Sequence, residues 1–451
     1  MAMRYDLLEQ YDRQVPRYTS YPTAPHFDSA IDGDVYAEWL DRVAPDQVLS
    51  LYLHIPFCDT LCWFCGCNTK LVARYEPVAA YLDTLALEID RVATALGPRR
   101  PVGHVHWGGG TPTILTPADI ARLTDLLRDR FDITAEAEFA VEIDPRDVAS
   151  DTIAALAGAG VTRASLGVQD VNADVQQAIN RLQPLATTQA VVRDLRDHGI
   201  DALNIDLMYG LPHQTLDGIR RTIEAVLALQ PNRLSLFGYA HVPWLKKHQR
   251  LIATEHLPGT RARAEQVELA GRLLTENDYV RIGLDHFARA DDALAQAARA
   301  GRLNRNFQGY TTDQATTLIG LGASAIGSLA EGYVQNATPV HLWQQALETG
   351  RFATQKGRRL DDNDRLRRTI IERLMCDFTV DLDAICRRYQ AAPAQFEPVI
   401  AALQPFARDG IVAIDGHRIT VAEDMRVLVR TVAAHFDRYL APAEARHARA
   451  V

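Results

Sequence analysis

The stretch LYLHIPFCDTLCWFCGC, residues 51–67, runs from a β-rich segment straight into four cysteines, and its reading decides that of the rest. Its first seven residues are aliphatic and aromatic with a proline near the end, the mark of a short strand leading to a turn. Five further runs of this kind follow, at 104–108 (HVHWG), 137–143 (AEFAVEI), 164–169 (ASLGVQ), 202–208 (ALNIDLM) and 233–240 (RLSLFGYA). Each leads into a polar or glycine-bearing turn and then into helical periodicity, as at 117–131 and 216–229. Repetition of such β-α units at spacings of roughly 25 to 50 residues predicts an α/β fold whose parallel sheet closes wholly or partly into a barrel.

The unusual polar residues follow the strands. The cysteines come after the first, GGGTPT (108–113) after the second, Glu142-Ile-Asp-Pro after the third and Val168-Gln-Asp after the fourth. Asp206 with the following Tyr-Gly-Leu-Pro closes the fifth, and Tyr239-Ala-His the sixth. Loops after parallel strands converge on one face, so one shared active site is expected there.

Composition limits the alternatives. The 451 residues are 47% hydrophobic and 23% charged, which excludes a disordered or fibrous chain and is enough for a barrel plus a smaller unit. A formal charge of -9 gives no general attraction to nucleic acid or an anionic membrane. No stretch approaches the roughly 18 apolar residues of a spanning helix, and MAMRYDLLEQYDRQV lacks a signal-peptide core, so a cytoplasmic protein is expected. Beyond residue 360, helical segments at 365–376, 381–390 and 395–408 precede IVAIDGHRITV, whose Asp415-Gly416 reads as a hairpin turn. Three helices and a hairpin resemble a winged-helix unit, here expected as a structural lid. The expected division is an N-terminal arm (1–48), a barrel with its extension (49–360) and a mainly helical C-terminal unit (361–451).

Four of six cysteines crowd into ten residues, which suits a metal or cluster site and not a disulfide scaffold. Cys58, Cys62 and Cys65 form C-x3-C-x2-C, three soft ligands on one loop. Zinc would need a fourth ligand, for which Cys67 or His54 could serve, whereas a cubane [4Fe-4S] cluster with three cysteines leaves one iron open.

CDTLCWFC, with aromatic Phe64 just before its last cysteine, resembles the signature of the radical S-adenosylmethionine (SAM) enzymes, and GGGTPT resembles their SAM-binding turn. More narrowly, PRYTSYPTA, LYLHIPFC, CGCN, HWGGGTPT, EIDPR, GVQDVN, NIDLMYGLP, YAHVP, GLDHFAR and RNFQGYTT occur in the order of the oxygen-independent coproporphyrinogen III oxidases, also called coproporphyrinogen III dehydrogenases. The resemblance covers nearly the whole chain. Trp63, where tyrosine is familiar, and Gly238, where asparagine is, depart from the pattern without touching the three ligand positions.

This resemblance implies a partial (β/α)6 radical SAM barrel with an arm and a winged-helix-like C-terminal domain. It implies that Cys58, Cys62 and Cys65 bind three irons of a [4Fe-4S] cluster and that one SAM occupies the fourth through its amino and carboxylate groups. Family members bind two SAM molecules. Tyr52, Gly109, Glu142 and Ile326 match positions around the first, Tyr52 and Glu142 joining the cysteines as catalytic residues. Phe64, Gly110, Thr111, Gln169, Arg181, Asp206 and Ala240 match positions around the second. An acidic side chain suits a ribose diol or an ammonium, arginine suits a carboxylate, and glycine admits close backbone approach. Against this, Glu142 and Asp206 could cap helices, the glycines could form an ordinary turn, and Tyr52 and Phe64 could be core aromatics. Cys67 matches an extra family cysteine that is not a ligand.

The implied reaction is oxidative decarboxylation of two propionates of coproporphyrinogen III to vinyl groups, giving protoporphyrinogen IX for heme biosynthesis, through a 5'-deoxyadenosyl radical made from SAM at the cluster. The rival readings are a heme-trafficking radical SAM paralogue, which lacks the Cys67 equivalent and the PRYTSYPTA arm, and a radical SAM methyltransferase acting on heme. A flavodoxin or ferredoxin system is the expected electron donor, with an unidentified acceptor, and the chain is expected to be a monomer. Arg17 and Arg305 are the candidate partners of substrate carboxylates, with internal ion pairs as their alternative.

Overall fold

The computed structural model describes residues 4–440, so the first three residues of the expected arm and the last eleven of the expected C-terminal unit lie outside the described residues. A single large sheet carries the site. Its strands are β1 (Leu49–Ile55), β2 (Pro101–Gly109), β3 (Asp132–Ile143), β4 (Arg163–Gln169), β5 (Ala202–Tyr209), β6 (Arg233–Gly238), β7 (Tyr279–Ile282), β8 (His286–Arg289), β9 (Thr317–Leu321), β10 (Ile326–Ser328), β11 (Gly332–Asn336) and β12 (Thr354–Arg359). They lie in the order β12-β11-β10-β9-β1-β2-β3-β4-β5-β6-β8-β7. The strands from β9 through β6 are parallel neighbours, and the strands flanking them at both edges pair antiparallel. Among the described residues β7 and β12 do not pair, so the barrel stays open. All six expected strands are present; β7 through β12 had no such sequence signal, being short and interrupted by turns.

Strand pleating sorts the side chains. In β1, Leu49, Leu51, Leu53 and Ile55 are buried among the helices that cover the sheet, as is the apolar stripe Tyr81, Leu85, Ile89 and Val92 of helix Glu76–Leu96. The intervening polar residues point the other way and fall into register across the strands. Ser50 is opposite His104 and His104 opposite Glu138, while Glu142 is opposite Ser165, and Ser165 in turn is opposite Asn204. The concave side of the sheet is therefore polar.

The C-terminal unit contains helices Asp362–Asp377, Leu382–Arg388 and Glu397–Arg408 with a three-stranded sheet, Arg418–Val421 lying between Thr379–Asp381 and Val412–Asp415. Asp415 pairs with Arg418, so the hairpin loop is Gly416-His417, one residue later than the sequence suggests, with Gly416 supplying the positive φ of 56°. The arm corrects an expectation more substantially. The Pro- and Tyr-rich residues 10–27, which cannot build a core of their own and are expected to pack on the barrel mouth, instead join Leu8 in giving Tyr11, Tyr18 and Tyr21 to the apolar core of the C-terminal unit. Arg430 donates to the carbonyls of Val15 and Pro16, and Tyr18 hydroxyl to Asp437 (3.1 Å). The arm also meets the barrel unit: Arg17 donates to the Gly238 carbonyl (2.9 Å), Tyr5 hydroxyl to Glu268 (2.5 Å), Phe27 stacks on Tyr333, and Ile31, Tyr36, Trp39 and Leu40 join the barrel core. Removal of the arm would thus expose core surface, which a free-standing arm would not do.

Glu88 bolts the helix Glu76–Leu96 to the sheet: it accepts from the Gly322 amide (2.6 Å), Asn336 Nδ2 (2.6 Å) and Trp343 Nε1 (3.1 Å). Burial pushes its carboxyl up to about 7 despite these donors. A carboxyl that holds its proton more tightly when folded stabilises the native state below its unfolded pKa, and that contribution disappears as pH rises through the folded pKa. Going from about pH 5 to about pH 8, Glu88 should remove about 2 to 3 kcal/mol of stability, and chemical denaturation of Glu88→Gln should lack that slope.

Candidate active site

A cavity of about 370 Å³ opens where the parallel strands end. Cys58, Cys62, Cys65 and Cys67 line it, with Phe64, Gly109, Gly110, Glu142, Gln169, Arg181 and Asp206. The sequence-selected loops therefore meet at one site.

The cysteine loop is held by its own backbone. Asn180 Nδ2 donates to the Leu61 carbonyl (2.8 Å), Gln249 Nε2 to that of Phe64 (3.0 Å) and Lys246 Nζ to that of Cys67 (2.8 Å), while His248 Nε2 hydrogen-bonds the Cys65 carbonyl (2.8 Å). Guanidinium groups of Arg146 and Arg181 lie 3.3 and 3.4 Å from Cys62 Sγ. Burial pushes the Cys58 thiol up to about 12, whereas the hydrogen bond from Cys67 brings Cys65 down to about 6.

The glycines at 108–110 are required by what surrounds them. A Cβ on Gly108 would lie 2.7 Å from the Glu142 carboxylate, one on Gly109 2.6 Å from the His54 ring, and one on Gly110 2.3 Å from the Phe57 carbonyl oxygen. Glu142 accepts from the Gly109 amide (3.0 Å) and pairs with His106 Nε2 (3.2 Å). Burial raises its carboxyl, but His106 and the Gly109 amide outweigh burial and keep it below the usual range, hence ionised. Burial and the nearby Glu142 charge raise Asp206, whose oxygens accept from Ser165 Oγ (2.9 Å) and Asn204 Nδ2 (2.8 Å). Neither acid caps a helix in the structure; both face the cavity from the interior of a strand.

Arg181 is clasped by Asp144, with Nη1 and Nη2 at 3.0 and 3.2 Å from its two oxygens, and also donates to the Gly167 carbonyl. Gln169 faces the cavity from a backbone φ of 69°. The remaining residues lie behind this wall. Tyr52 hydrogen-bonds His54 Nδ1 (3.0 Å), and Ile326 is near it across Gly320, the residue paired with Tyr52. Thr111 Oγ1 accepts from the Asp144 amide (3.2 Å), tying two loops together. Ala240 instead lines a second, smaller cavity together with Arg17 and Arg305. Sequence reasoning passed over Asp144, Arg146, Asn180, Lys246, His248 and Gln249; Asp144 and Arg146 lay inside the quoted EIDPR, while the others had no local signal.

The comparisons with known proteins follow this geometry. Residues 52–226 match the Radical SAM superfamily and residues 360–423 the HemN C-terminal domain. The chain is 50% identical over 450 residues to the oxygen-independent coproporphyrinogen III oxidase of Bradyrhizobium diazoefficiens, covering all of both chains. It is 43% identical to that of Cereibacter sphaeroides over 95% of each chain. A solved Escherichia coli coproporphyrinogen III oxidase, described as a radical SAM enzyme, superimposes with a TM-score of 0.90 at 39% identity, covering 95% of this chain and 100% of that one. The chain belongs to the oxygen-independent coproporphyrinogen III oxidase family.

Radical SAM family membership implies SAM and a [4Fe-4S] cluster, and the cavity fits both. Both ring nitrogens of His54 are engaged, Nε2 with the Asn68 carbonyl at 2.9 Å, which removes one proposed zinc ligand. Among the described residues no three His, Cys, Asp or Glu side chains converge on a single ion. A cluster spreads its thiolates over separate irons, and the guanidinium groups beside Cys62 suit the negative charge such ligands carry. On the expectation that Glu142 contacts the first SAM, replacing it by Gln in this coproporphyrinogen oxidase family member should weaken SAM binding by roughly 1 to 3 kcal/mol, about 5- to 150-fold in Kd, through loss of a charged acceptor. Equilibrium dialysis with iron analysis checks this, and iron content should not change.

Proposed function

We propose that this protein converts two propionate side chains of coproporphyrinogen III to vinyl groups without oxygen, yielding protoporphyrinogen IX for heme biosynthesis. The observation that carries the reading is the joining of three cysteines, the glycine turn and Glu142 in one cavity of a chain that matches oxygen-independent coproporphyrinogen III oxidases along its entire length. A cluster held by Cys58, Cys62 and Cys65 supplies, when bound, the electron that cleaves SAM to methionine and the radical that takes one hydrogen from the propionate β-carbon. Loss of carbon dioxide and one electron to an external acceptor then leaves the vinyl group, so each propionate consumes one radical.

The chain's own residues bind and orient. Glu142, ionised and fixed by His106, offers a charged acceptor to the ammonium or ribose of the first SAM, with Tyr52 and Ile326 packing behind it. The glycine turn admits the adenosyl group close to the backbone. Phe64, Gly110, Gln169 and Asp206 would bound a second SAM; Arg181 and Thr111, engaged with Asp144, would set that wall, and Ala240 would extend it. The cysteine loop lines the cavity, and substrate and cofactors seated there would displace water from around a reactive intermediate. No described helix is long and apolar enough to cross a membrane. The proposal further takes the protein as a cytoplasmic monomer that draws electrons from a flavodoxin or ferredoxin system.

The test is anaerobic reconstitution with iron and sulfide, followed by coproporphyrinogen III, SAM and a reductant. Vinyl product with methionine release is expected, and Cys58→Ala, Cys62→Ala and Cys65→Ala should each abolish both while Cys67→Ser retains the cluster. Methionine release without any vinyl product from the unaltered protein would overturn the reading. Dialysis should give two SAM per protein, and one at saturation would remove the second.

A further inference from the structure

Where the arm, the strand β6 end, the β7–β8 turn and the C-terminal unit meet, six arginines line a cavity of about 40 Å³: Arg17, Arg263, Arg281, Arg305, Arg426 and Arg430. Asp285 is the sole carboxylate in that lining. The arginines come from widely separated parts of the sequence, and gathering so many like charges in one enclosed place is unfavourable unless an anion offsets them.

For Arg281, Arg305 and Arg426 the internal partners fall short of doing so. Arg305, whose side chain is 5% exposed, lies 3.7 Å from Asp285, too far for a hydrogen bond, and its Nε and Nη1 are buried without a hydrogen-bond partner. The Arg281 side chain makes no hydrogen bond or ion pair among the described residues; it stacks over Phe287, 5.5 Å from the ring centroid, with Nε buried and unpartnered. Arg426 stacks over Phe378, 4.6 Å from the ring centroid, and its one ion pair among the described residues is with Glu423 at 3.8 Å, an acid whose side chain is 88% exposed. Asp285 is itself shared with His286, at 2.8 Å. Burial would raise that carboxyl, yet Arg305, His286 and Arg17 hold it far below the usual range, so it is already saturated with positive neighbours.

A volume of this size holds about three waters or one carboxylate head. Phe237 lines both this cavity and the cysteine cavity, and Arg305 also lines a chamber of about 770 Å³ between the arm and the C-terminal helices. We propose that the arginine pocket binds one propionate of the tetracarboxylate substrate that is not the one reacting, and so orients the tetrapyrrole towards the cysteine cavity. This rests on the proposed function and extends it from Arg17 and Arg305 to Arg281 and Arg426, which carried no sequence signal. Gly238 belongs to the same device: its carbonyl holds Arg17, and a Cβ there would lie 2.8 Å from the Tyr209 hydroxyl and 3.1 Å from Arg263.

The experiment measures steady-state vinyl formation by reconstituted holoenzyme with Arg281→Gln, Arg281→Lys, Arg305→Gln and Arg426→Gln, and binding of the stable oxidised analogue coproporphyrin III and its tetramethyl ester. Arg388→Gln, whose arginine lines the larger chamber and not the arginine pocket, is the control. Each glutamine variant in the pocket should raise KM at least tenfold and weaken coproporphyrin III binding to match, with iron content and substrate-free SAM cleavage unchanged. Arg281→Lys should recover part of the loss, and the ester should bind all proteins equally weakly. Unchanged KM and analogue affinity in the pocket variants, or equal loss in Arg388→Gln, would overturn the proposal. Either result would leave the decarboxylation reading standing, whereas absence of vinyl product from the unaltered enzyme would reject that reading instead. Variants that lose iron or thermal stability together with binding would mark the arginines as structural and also reject the pocket.

Discussion

The alternation of side chains along parallel strands is the constraint on which this molecule depends. One face of each strand is apolar and anchors the covering helices; the other brings Ser50, His104, Glu138, Glu142, Ser165, Asn204 and Asp206 into neighbouring registers on the concave side. A slip of one residue in any of these strands would turn its polar set into the apolar layer. The barrel therefore cannot form without presenting a polar, carboxylate-bearing cavity at the place where its loops converge. Glu142 shows the consequence: buried, it stays ionised because His106 and the Gly109 amide stand opposite it.

The second dependence is on the segments that finish an open barrel. The cysteine loop packs Trp63 and Phe64 against Val175, Ile179, Leu211 and Tyr239, and its carbonyls are held by Asn180, Lys246, His248 and Gln249 from two distant parts of the chain. The arm is held in the same manner from the other side, its tyrosines sunk in the C-terminal core and Arg17 left facing the barrel. The C-terminal unit reaches the arginine cavity directly through Arg426 and Arg430 and also packs the arm that carries Arg17.

Six strands and the long C-terminal helices were legible in the sequence because each carries an uninterrupted period of its own. The strands β7 through β12 were not, since runs of three to six residues between turns carry too little pattern to separate from loop. At the site, cysteines, glycines and strand-end acids stood out by residue type, and they do meet. Arg181 and Asp144 were harder: a buried ion pair is a fact of approach across two loops, and only one member had been singled out. The same holds for the arginine pocket. Each of Arg281, Arg426 and Arg430 reads in isolation as a solvated charge, and only folding brings them together.

The central claim is that three cysteines hold a cluster whose remaining iron is open to the amino and carboxylate groups of SAM beside Glu142. Electron-nuclear double resonance on the reduced, reconstituted protein with SAM labelled by 15N at the amino group and 17O at the carboxylate tests it most directly. The account predicts hyperfine coupling of both labels to the cluster; a cluster signal with neither coupling, at saturating SAM, would contradict it.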